Sequence, residues 1–433
     1  MLMSWMMASA GSVALSAPGA IPAAVLIIAL LAALFGFFGA KLRHSGSPAT
    51  SPTSTPTPTS CAPGALSATL PADAIIQDIS MTSPRSGWAV GWTEMGGPDS
   101  PHAPQSLLMR FQQCQWQPVA GGIPSAELLS VSMTSATDGW AVGASVVDDN
   151  PSPAPGTPHL WVGKQLVALH YTGGQWQRIN MPAMSLVIGA KVRMTSSGDG
   201  WMLIDNGKSH ITPYTSKYAY TLLHYQNGAW TPVPLTFDAS GSDLFWDIAA
   251  MTPDDCWIVG YGVVAHYHQG VWTKWSGPQL GVTYAGLYSF SMTGPNDVWA
   301  SGTYSYHDAN GDEIGPLVLH YDGATWTRES MGNVPSQLHE MLNTTTIAAQ
   351  SSNDVWMFAN AFAFGGGGHA YVAHERNGAW TWAQAPANLA SIGTVVFVSS
   401  SEGFATGLIP APTGEASVLL HYSDGVWRAI PTT

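Results

Sequence analysis

Charge is scarce in this chain. Only 9% of its 433 residues are Asp, Glu, Lys or Arg, and the 14 Lys+Arg form no basic run. With a net charge of −13, it lacks the electrostatic footprint that a phosphate backbone requires, so nucleic acid is excluded as a partner. The same balance argues against adhesion of the chain's main body to anionic lipid. Cysteine is scarcer still. Cys61, Cys114 and Cys256 are the only three, and none sits in a C-x-x-C or metal-spaced pair. There is no Walker motif, Rossmann fingerprint, HExxH or GxSxG, so no cofactor is implied.

What the chain has is a repeat. It is clearest at residues 287–328: LYSFSMTGPNDVWASG, a gap, then LVLHYDGATWTR. Seven copies follow one another, with the first tryptophans of the copies 42–61 residues apart, the period range of propeller blades. Each half-copy is a pair of short strands around turn formers such as GPND or DGA. One copy therefore supplies four antiparallel strands, a to d. Stacking such sheets radially buries their faces and shortens their edges. The expected fold is all-β, a seven-bladed propeller of four-stranded antiparallel blades over 65–433, preceded by one N-terminal transmembrane helix.

Two aromatic positions recur. Strand b carries Trp88, Trp140, Trp201, Trp257, Trp299, Trp356 and Phe404. Strand d carries Trp116, Trp176, Trp230, Trp272, Trp326, Trp380 and Trp427. An indole buries about 150–250 Å², and a large flat ring in every copy is expected to fill the wedge between blades. The other reading is a row of sugar-stacking platforms. The pattern F/M-x-S/D-x-x-x-GWAVG … DG-x-x-W resembles the repeat of the photosystem II assembly-factor (Ycf48/Hcf136-like) propellers. More broadly it is similar to the BNR, or Asp-box, repeats. The resemblance spans Ala65 to Thr433 and implies the fold; assembly of a membrane complex is one function it implies. The turn departs from the usual pattern, as Thr172-Gly173-Gly174, Asp322-Gly323 or Asp424-Gly425.

The N-terminus reads as a tail (1–19), a membrane helix (20–40) and a Ser/Thr/Pro-rich linker (41–64). AIPAAVLIIALLAALFGFFGA at 20–40 is apolar throughout, about 30 Å long as a helix, and longer than the apolar core of a usual signal peptide. A cleaved signal is the alternative. Lys41 and Arg43 follow the helix, which by the positive-inside rule favours a cytoplasmic propeller. The stalk-like SGSPATSPTSTPTPTS tract at 45–60 and the cysteines favour an extracytoplasmic one, which is the reading adopted. Membrane contact is assigned to residues 20–40 only.

Most copies place Gly two residues before the strand-d tryptophan, but the first has Cys114. Cysteine at a turn glycine costs backbone freedom, so a compensating Cys61–Cys114 disulfide is expected, tying the stalk to blade 1. Two unrelated thiols are the alternative. Cys256 reads as a buried free thiol. Ala65–Leu70 is expected to add beside the last blade and latch the ring.

If the copies are scaffold, recognition belongs where they differ. The a–b and c–d turns are uniform, whereas the b–c connections vary, and variable loops carry binding residues disproportionately. Candidate rim contacts are Trp92, Asp148, Asp149, His159, Trp161, Tyr214, Tyr218, Asp243, Trp246, Tyr304, Tyr306 and His307, for a protein or carbohydrate ligand. Asp308, Asn310 and Asp312 give D-x-N-x-D, which suits calcium. Its glycine falls at position 4, and no glutamate stands at 12, unlike an EF-hand; a polar hairpin is the other reading. Six strand-c histidines, His170, His224, His266, His320, His374 and His421, stand one per blade, cannot converge on one ion, and read as structural. A sialidase would need three convergent arginines, yet only Arg193 lies on an inner strand.

The resulting expectation is a non-catalytic, membrane-tethered, extracytoplasmic binding or scaffold module. The alternative is a polysaccharide hydrolase or lyase using the same face. A cysteine introduced within 45–60 should react with a membrane-impermeant reagent in intact cells; absence of labelling would place the propeller in the cytoplasm.

Overall fold

The computed structural model describes residues 60–433 apart from 62–63, 72, 94–101, 121–124, 152–160, 183, 185, 213–214, 239–240, 242, 283–284, 309–310, 340–341, 363–367, 387–388 and 412–413. The expected tail, membrane helix and nearly all of the linker fall outside them. Among the described residues, no helix is long and apolar enough to cross a membrane.

Seven four-stranded antiparallel sheets follow in chain order. Blade 1 starts at Ala74–Ser83, blade 2 at Ala126–Ser135, blade 3 at Gly189–Ser196 and blade 4 at Phe245–Ala249. Blades 5, 6 and 7 start at Ala285–Gly294, Leu342–Ser351 and Ser391–Ser399. Each is one contiguous a-b-c-d stretch, with no strand exchanged between neighbours. Strand a of each blade lies beside strand a of the next, and that of blade 7 returns to blade 1.

The c–d turns show why the sequence repeats Gly there. Asn227 and Gly228 have φ of 52° and 77°, and Asn377 and Gly378 have 53° and 84°. Two successive positive φ values mark the type I′ hairpin, whose twist matches the strands. Blade 1 puts Gln113 and Cys114 there, at 52° and 64°, a conformation that disfavours any side chain. Cys114 is joined to Cys61 in a disulfide with Cα atoms 5.7 Å apart.

The same junction closes the ring. Ser67–Ala68 forms a fifth strand, parallel to the outer strand of blade 1 (Gln115–Pro118). Its other side meets the chain's end: Ala68 N–H donates to Pro431 O at 2.8 Å, and Thr433 N–H to Ala68 O at 3.0 Å. The segment expected beside the last blade thus joins the sheet of blade 1 and bridges to the tail beyond blade 7. The disulfide at Cys61 places it there.

Between blades, the strand-b aromatic of one sheet packs against strands c and d of the next. Trp88 meets Tyr171 and Trp176 at 4.8 and 5.2 Å, and Trp140 meets Tyr225 and Trp230 at 5.1 and 5.3 Å. The two indole pairs cross at 85° and 90°, the edge-to-face geometry favoured by the ring quadrupole. The last contact, Phe404 with Phe111 at 5.2 Å, joins blade 7 to blade 1. Many of these indole N–H groups, Trp140 and Trp257 among them, are buried without a partner. Size and shape hold most of these positions; Trp299 and Trp272 also donate, to Asp297 at 3.0 Å and to Pro234 O at 2.9 Å.

Each strand-c histidine has two fixed neighbours inside its own blade. His170, His224, His266, His320 and His374 donate or accept at 2.8–3.0 Å with Asp138, Asp199, Asp255, Asp297 and Asp354. His421 pairs with Glu402 at 3.0 Å. Five of the imidazoles stack on the strand-b tryptophan at 3.7–4.4 Å. Blade 1 changes acid and base together, to Ser86 and Arg110, and the guanidinium lies 5.5 Å from the Trp88 ring. The histidines are structural, as their one-per-blade spacing implied.

Removing the clasp's anchor by Cys114→Ala should destabilise the fold by about 2–4 kcal/mol, read as a lower thermal midpoint; an unchanged midpoint would contradict the closure described. Asp297 supplies a pH test. Burial alone would raise its pKa, but hydrogen bonds from Ser352, Thr293 and His320 together hold it below the ordinary value. A depressed carboxylate stabilises the fold above its unfolded pKa, and that contribution is lost as pH falls through the folded value. Asp297→Asn should cost about 1–3 kcal/mol at pH 7 and flatten the acid limb of the stability–pH profile measured by denaturant unfolding.

Candidate functional site

On the face that carries the b–c connections, four blades extend their strands outward, blade 2 among them with Asp138–Asp148 and Trp161–Thr172. Strands b and c of blade 3 run as Asp199–Thr212 and Thr215–Gln226; those of blade 5 run as Asp297–Asp308 and Gly311–Tyr321. Blade 7 does the same with Glu402–Ala411 and Gly414–Ser423. Stretches expected as irregular loops are therefore hairpin arms, consistent with the β-formers in TYSY and YAYT. Blade 4 is the opposite. Its strand b ends at Gly260, strand c begins at Val263, and only Tyr261 and Gly262 lie between.

That short turn leaves an aromatic platform uncovered. Trp246 and Tyr288 hold equivalent places near the start of strand a in blades 4 and 5. Both lie at register shifts where the strand bulges, which re-aims a side chain. Their rings stack at 4.7 Å and 28°. Tyr261 stands edge-on to Trp246 at 6.3 Å and is 54% exposed. Gly286 permits the arrangement: a Cβ there would fall 2.8 Å from the Tyr288 hydroxyl oxygen and 3.3 Å from the Trp246 ring. Tyr288 Oη also lies 3.4 Å from Thr303 Oγ1, which fixes the far end of the ring.

Beside the platform, the blade 3–4 connection carries polar groups. Lys274 donates to Asp243 at 2.6 Å. Burial raises the Asp243 pKa, and the lysine offsets part of that. Tyr220 accepts from Phe245 N–H at 3.1 Å. Its phenol is pushed up to about 12, first by burial and then by Asp205, Tyr218 and Asp238. Asp205 is itself raised by burial. A phenol held neutral this firmly is poorly suited to act as a nucleophile.

The other rim candidates scatter. Trp92 lies next to the end of strand b of blade 1 (Ser86–Thr93) and is partly exposed. Asp148 ends strand b of blade 2, where its side chain accepts from Asn150 N–H at 2.9 Å, and Asp149 is exposed beside it. Tyr218 is half-buried in strand c of blade 3. Tyr304 is buried, with the Arg328 guanidinium 4.1 Å from its ring centre, so it serves packing. His159, Tyr214 and Asn310 lie outside the described residues. Trp161, Tyr306, His307, Asp308 and Asp312 fall in strands whose backbone alone is described, and the calcium reading falls there with them.

The central channel holds Arg193 between blades 1 and 4. Its guanidinium lies 3.8 Å from Asp78 and 3.4 Å from Asp247. Both carboxylates also accept from the next blade's backbone: Val131 N–H donates to Asp78 at 2.9 Å, and Phe290 N–H to Asp247 at 3.1 Å. The arginine is neutralised inside the scaffold. A cavity of about 900 Å³ opens on the opposite, uniform face, lined by Cys61, Leu66, Arg376, His421, Tyr422 and Arg428. Yet its walls are the closure clasp and blade 7's acid–histidine pair, groups the fold already uses.

Sequence reasoning found Trp246 but not Tyr261 or Tyr288. The signal was present: Tyr261 follows the six-residue strand b of blade 4, which pairs with an equally short strand c, and Tyr288 repeats the place of Trp246 one blade on. It also passed over the acid that begins strand b, although D-x-W recurs in blades 2 to 6 and changes together with the histidine in blade 1.

No protein-family model matches the sequence, and no curated protein matches it. Solved propellers do. The structure described as YCF48 bound to D1 peptide is 18% identical, over 82% of this chain and 95% of that one, with a TM-score of 0.48. The β-propeller domain of the Trilobed protease from Pyrococcus furiosus is 8% identical, over 82% and 97%, with a TM-score of 0.48. The GH74 xyloglucanase from Xanthomonas campestris is 15% identical, over 80% and 53%, with a TM-score of 0.28. The chain resembles the Ycf48-type propeller and other propellers in fold. At these identities no activity passes from them to this protein.

Proposed function

We propose that this protein is a non-catalytic binding module, tethered to the membrane through residues 20–40 with its propeller outside the cytoplasm. It takes a protein or glycan ligand on the face that carries the b–c connections. The observation that carries this reading is the Trp246–Tyr288–Tyr261 platform, left open by the two-residue connection of blade 4. Exposed aromatic surface costs free energy unless a partner covers it. Trp and Tyr supply large, stiff contact area and dominate binding hot spots. The faces of stacked rings suit the apolar faces of sugars or the side chains of a peptide. Flanking arms from blades 3 and 5 would wall such a ligand, and Asp243 with Lys274 would offer polar contacts at its margin.

The catalytic alternative, a polysaccharide hydrolase or lyase, requires acid and base groups near the same ligand. Asp243 is paired to Lys274, while Asp149 stands on blade 2, so these two rim carboxylates serve different blades. The purified full-length chain should bind members of a glycan array or a peptide library. Trp246→Ala together with Tyr261→Ala should weaken that binding at least tenfold, about 1.4 kcal/mol or more. Binding that survives the double substitution would remove the platform from the site. Polysaccharide turnover abolished by Asp243→Asn or Asp149→Asn would sink the non-catalytic reading.

A further inference from the structure

The acid–histidine pair of blade 4 differs in two ways, one that separates it from blades 2, 3 and 5 and one that separates it from every other blade. In blades 2 and 3 the acid uses both oxygens. Asp138 accepts from Thr134 at 2.7 Å through Oδ1 and meets His170 at 3.0 Å through Oδ2. Asp199 accepts from Thr195 at 2.5 Å through Oδ1 and meets His224 at 2.9 Å through Oδ2. Asp297 of blade 5 is capped in the same way by Thr293. In each case the threonine stands four residues before the acid. Blade 4 is one residue shorter in this turn, so Thr252 stands three residues before Asp255. There Asp255 N–H reaches Thr252 O at 3.3 Å, and no hydroxyl caps the side chain. Asp255 Oδ1 is buried without a partner.

The second difference adds a donor. Two residues beyond the strand-c histidine, the other blades carry Thr172, Gln226, Asp322, Arg376 and Ser423, with Gln112 in blade 1. Blade 4 carries His268. Residues two apart on a strand share one face, so His268 lies beside His266. His266 Nε2 is 2.8 Å and His268 Nδ1 3.2 Å from the same Asp255 Oδ2, and one ligand atom from each residue fits within a 4.8 Å cluster. Donor atoms on a tetrahedral zinc lie about 3.3 Å apart, given zinc–ligand bonds of about 2.0–2.1 Å.

We propose that Asp255, His266 and His268 bind one divalent first-row cation, with Zn²⁺ best suited to the set. Two imidazoles and a carboxylate are borderline donors, unlike the all-oxygen sets that select Mg²⁺ or Ca²⁺. Both imidazoles meet Asp255 Oδ2 while Oδ1 has no partner, so the carboxylate keeps acceptor capacity that a cation would use. Trp257, stacked on His266 at 3.8 Å, holds that ring in place, as outer contacts do around metal-binding histidines. His268 is 57% exposed at its side chain while Asp255 is 5% exposed, so an ion enters past His268 and keeps its remaining position for water. The site lies at the ends of strands b and c that carry the uniform turns, away from the aromatic platform, and does not depend on what that platform binds.

The test uses the full-length chain, stripped of metal and of any affinity tag, titrated with Zn²⁺ by calorimetry. One Zn²⁺ per chain is expected, with a rise in thermal midpoint. His268→Thr installs the residue that blade 2 carries, so the fold should keep its metal-free midpoint while Zn²⁺ affinity falls at least about tenfold. Asp255→Asn should abolish binding, His339→Thr should leave it unchanged, and Mg²⁺ should not compete. No saturable Zn²⁺ binding, or equal binding and an equal midpoint shift in His268→Thr, would overturn the proposal.

Discussion

Radial sheets leave a wedge that widens outward, and the molecule depends on filling it. Strands alone cannot, because their spacing is fixed by hydrogen bonding while the gap between blades grows with radius. The chain answers with an indole on strand b reaching the tyrosine and indole of the next blade's outer strands. Each aromatic contact contributes about 0.5–1.5 kcal/mol beyond the area it buries. The sum is ring-wide cohesion that no single blade possesses. One interface departs from the rule. Blade 6 has Glu375 where its neighbours have tyrosine, opposite Trp380 in the strand register and buried at 3% exposure, with one oxygen satisfied by Gly378 N–H and the other orphaned.

Closure follows from the same constraint. With every sheet contiguous, nothing threads one blade into another, and the first and last blades meet through packing, the clasp and a buried hydrogen bond from Ile76 N–H to Ser417 Oγ at 2.9 Å. Phe404, the one strand-b position without an indole, packs against Phe111 and Trp116 there. The parallel pairing at Ser67–Ala68 then ties both chain ends to the outer edge of blade 1. The Cys61–Cys114 disulfide holds that strand where a left-handed turn has already forced an unfavourable cysteine. On the inner ring, serines reinforce the same order: Ser80, Ser132 and Ser291 each accept from the backbone of the following blade at 2.8–3.0 Å.

Blade number, strand order and the role of the indoles were legible because each is written seven times. A periodic signal averages over local irregularity, and the physics of a repeat is the physics of its neighbours. The candidate site was less legible because it is written once. Trp246 looked like one rim aromatic among several, and its stacking on Tyr288 depends on two strand bulges and on the bare Cα of Gly286. Tyr304 shows the reverse error. It sits in an aromatic-rich extension, yet strand alternation turns it inward beneath Arg328. Partnership between the D-x-W acid and the strand-c histidine was recoverable from the paired exchange to Ser86 and Arg110, since a lone change would leave a buried charge unmatched.

Blade 4 departs from the repeat at both of its ends. On one face it gives up its b–c extension and leaves Tyr261 exposed and Trp246 and Tyr288 half-buried. On the other it shortens the turn before Asp255, strips the carboxylate of its threonine cap and adds His268. A scaffold position under packing constraint has little freedom to change, because its neighbours on both sides must change with it. Strand b of this blade keeps that constraint: Trp257 and Ile258 are fully buried, and Cys256 lies beside them with its thiol pushed well above the ordinary value by burial. The middle of the blade is therefore held to the common pattern while both of its ends are released from it. The two contact sites proposed for this blade fall at those released ends, where a side chain can change without disturbing the packing of its neighbours.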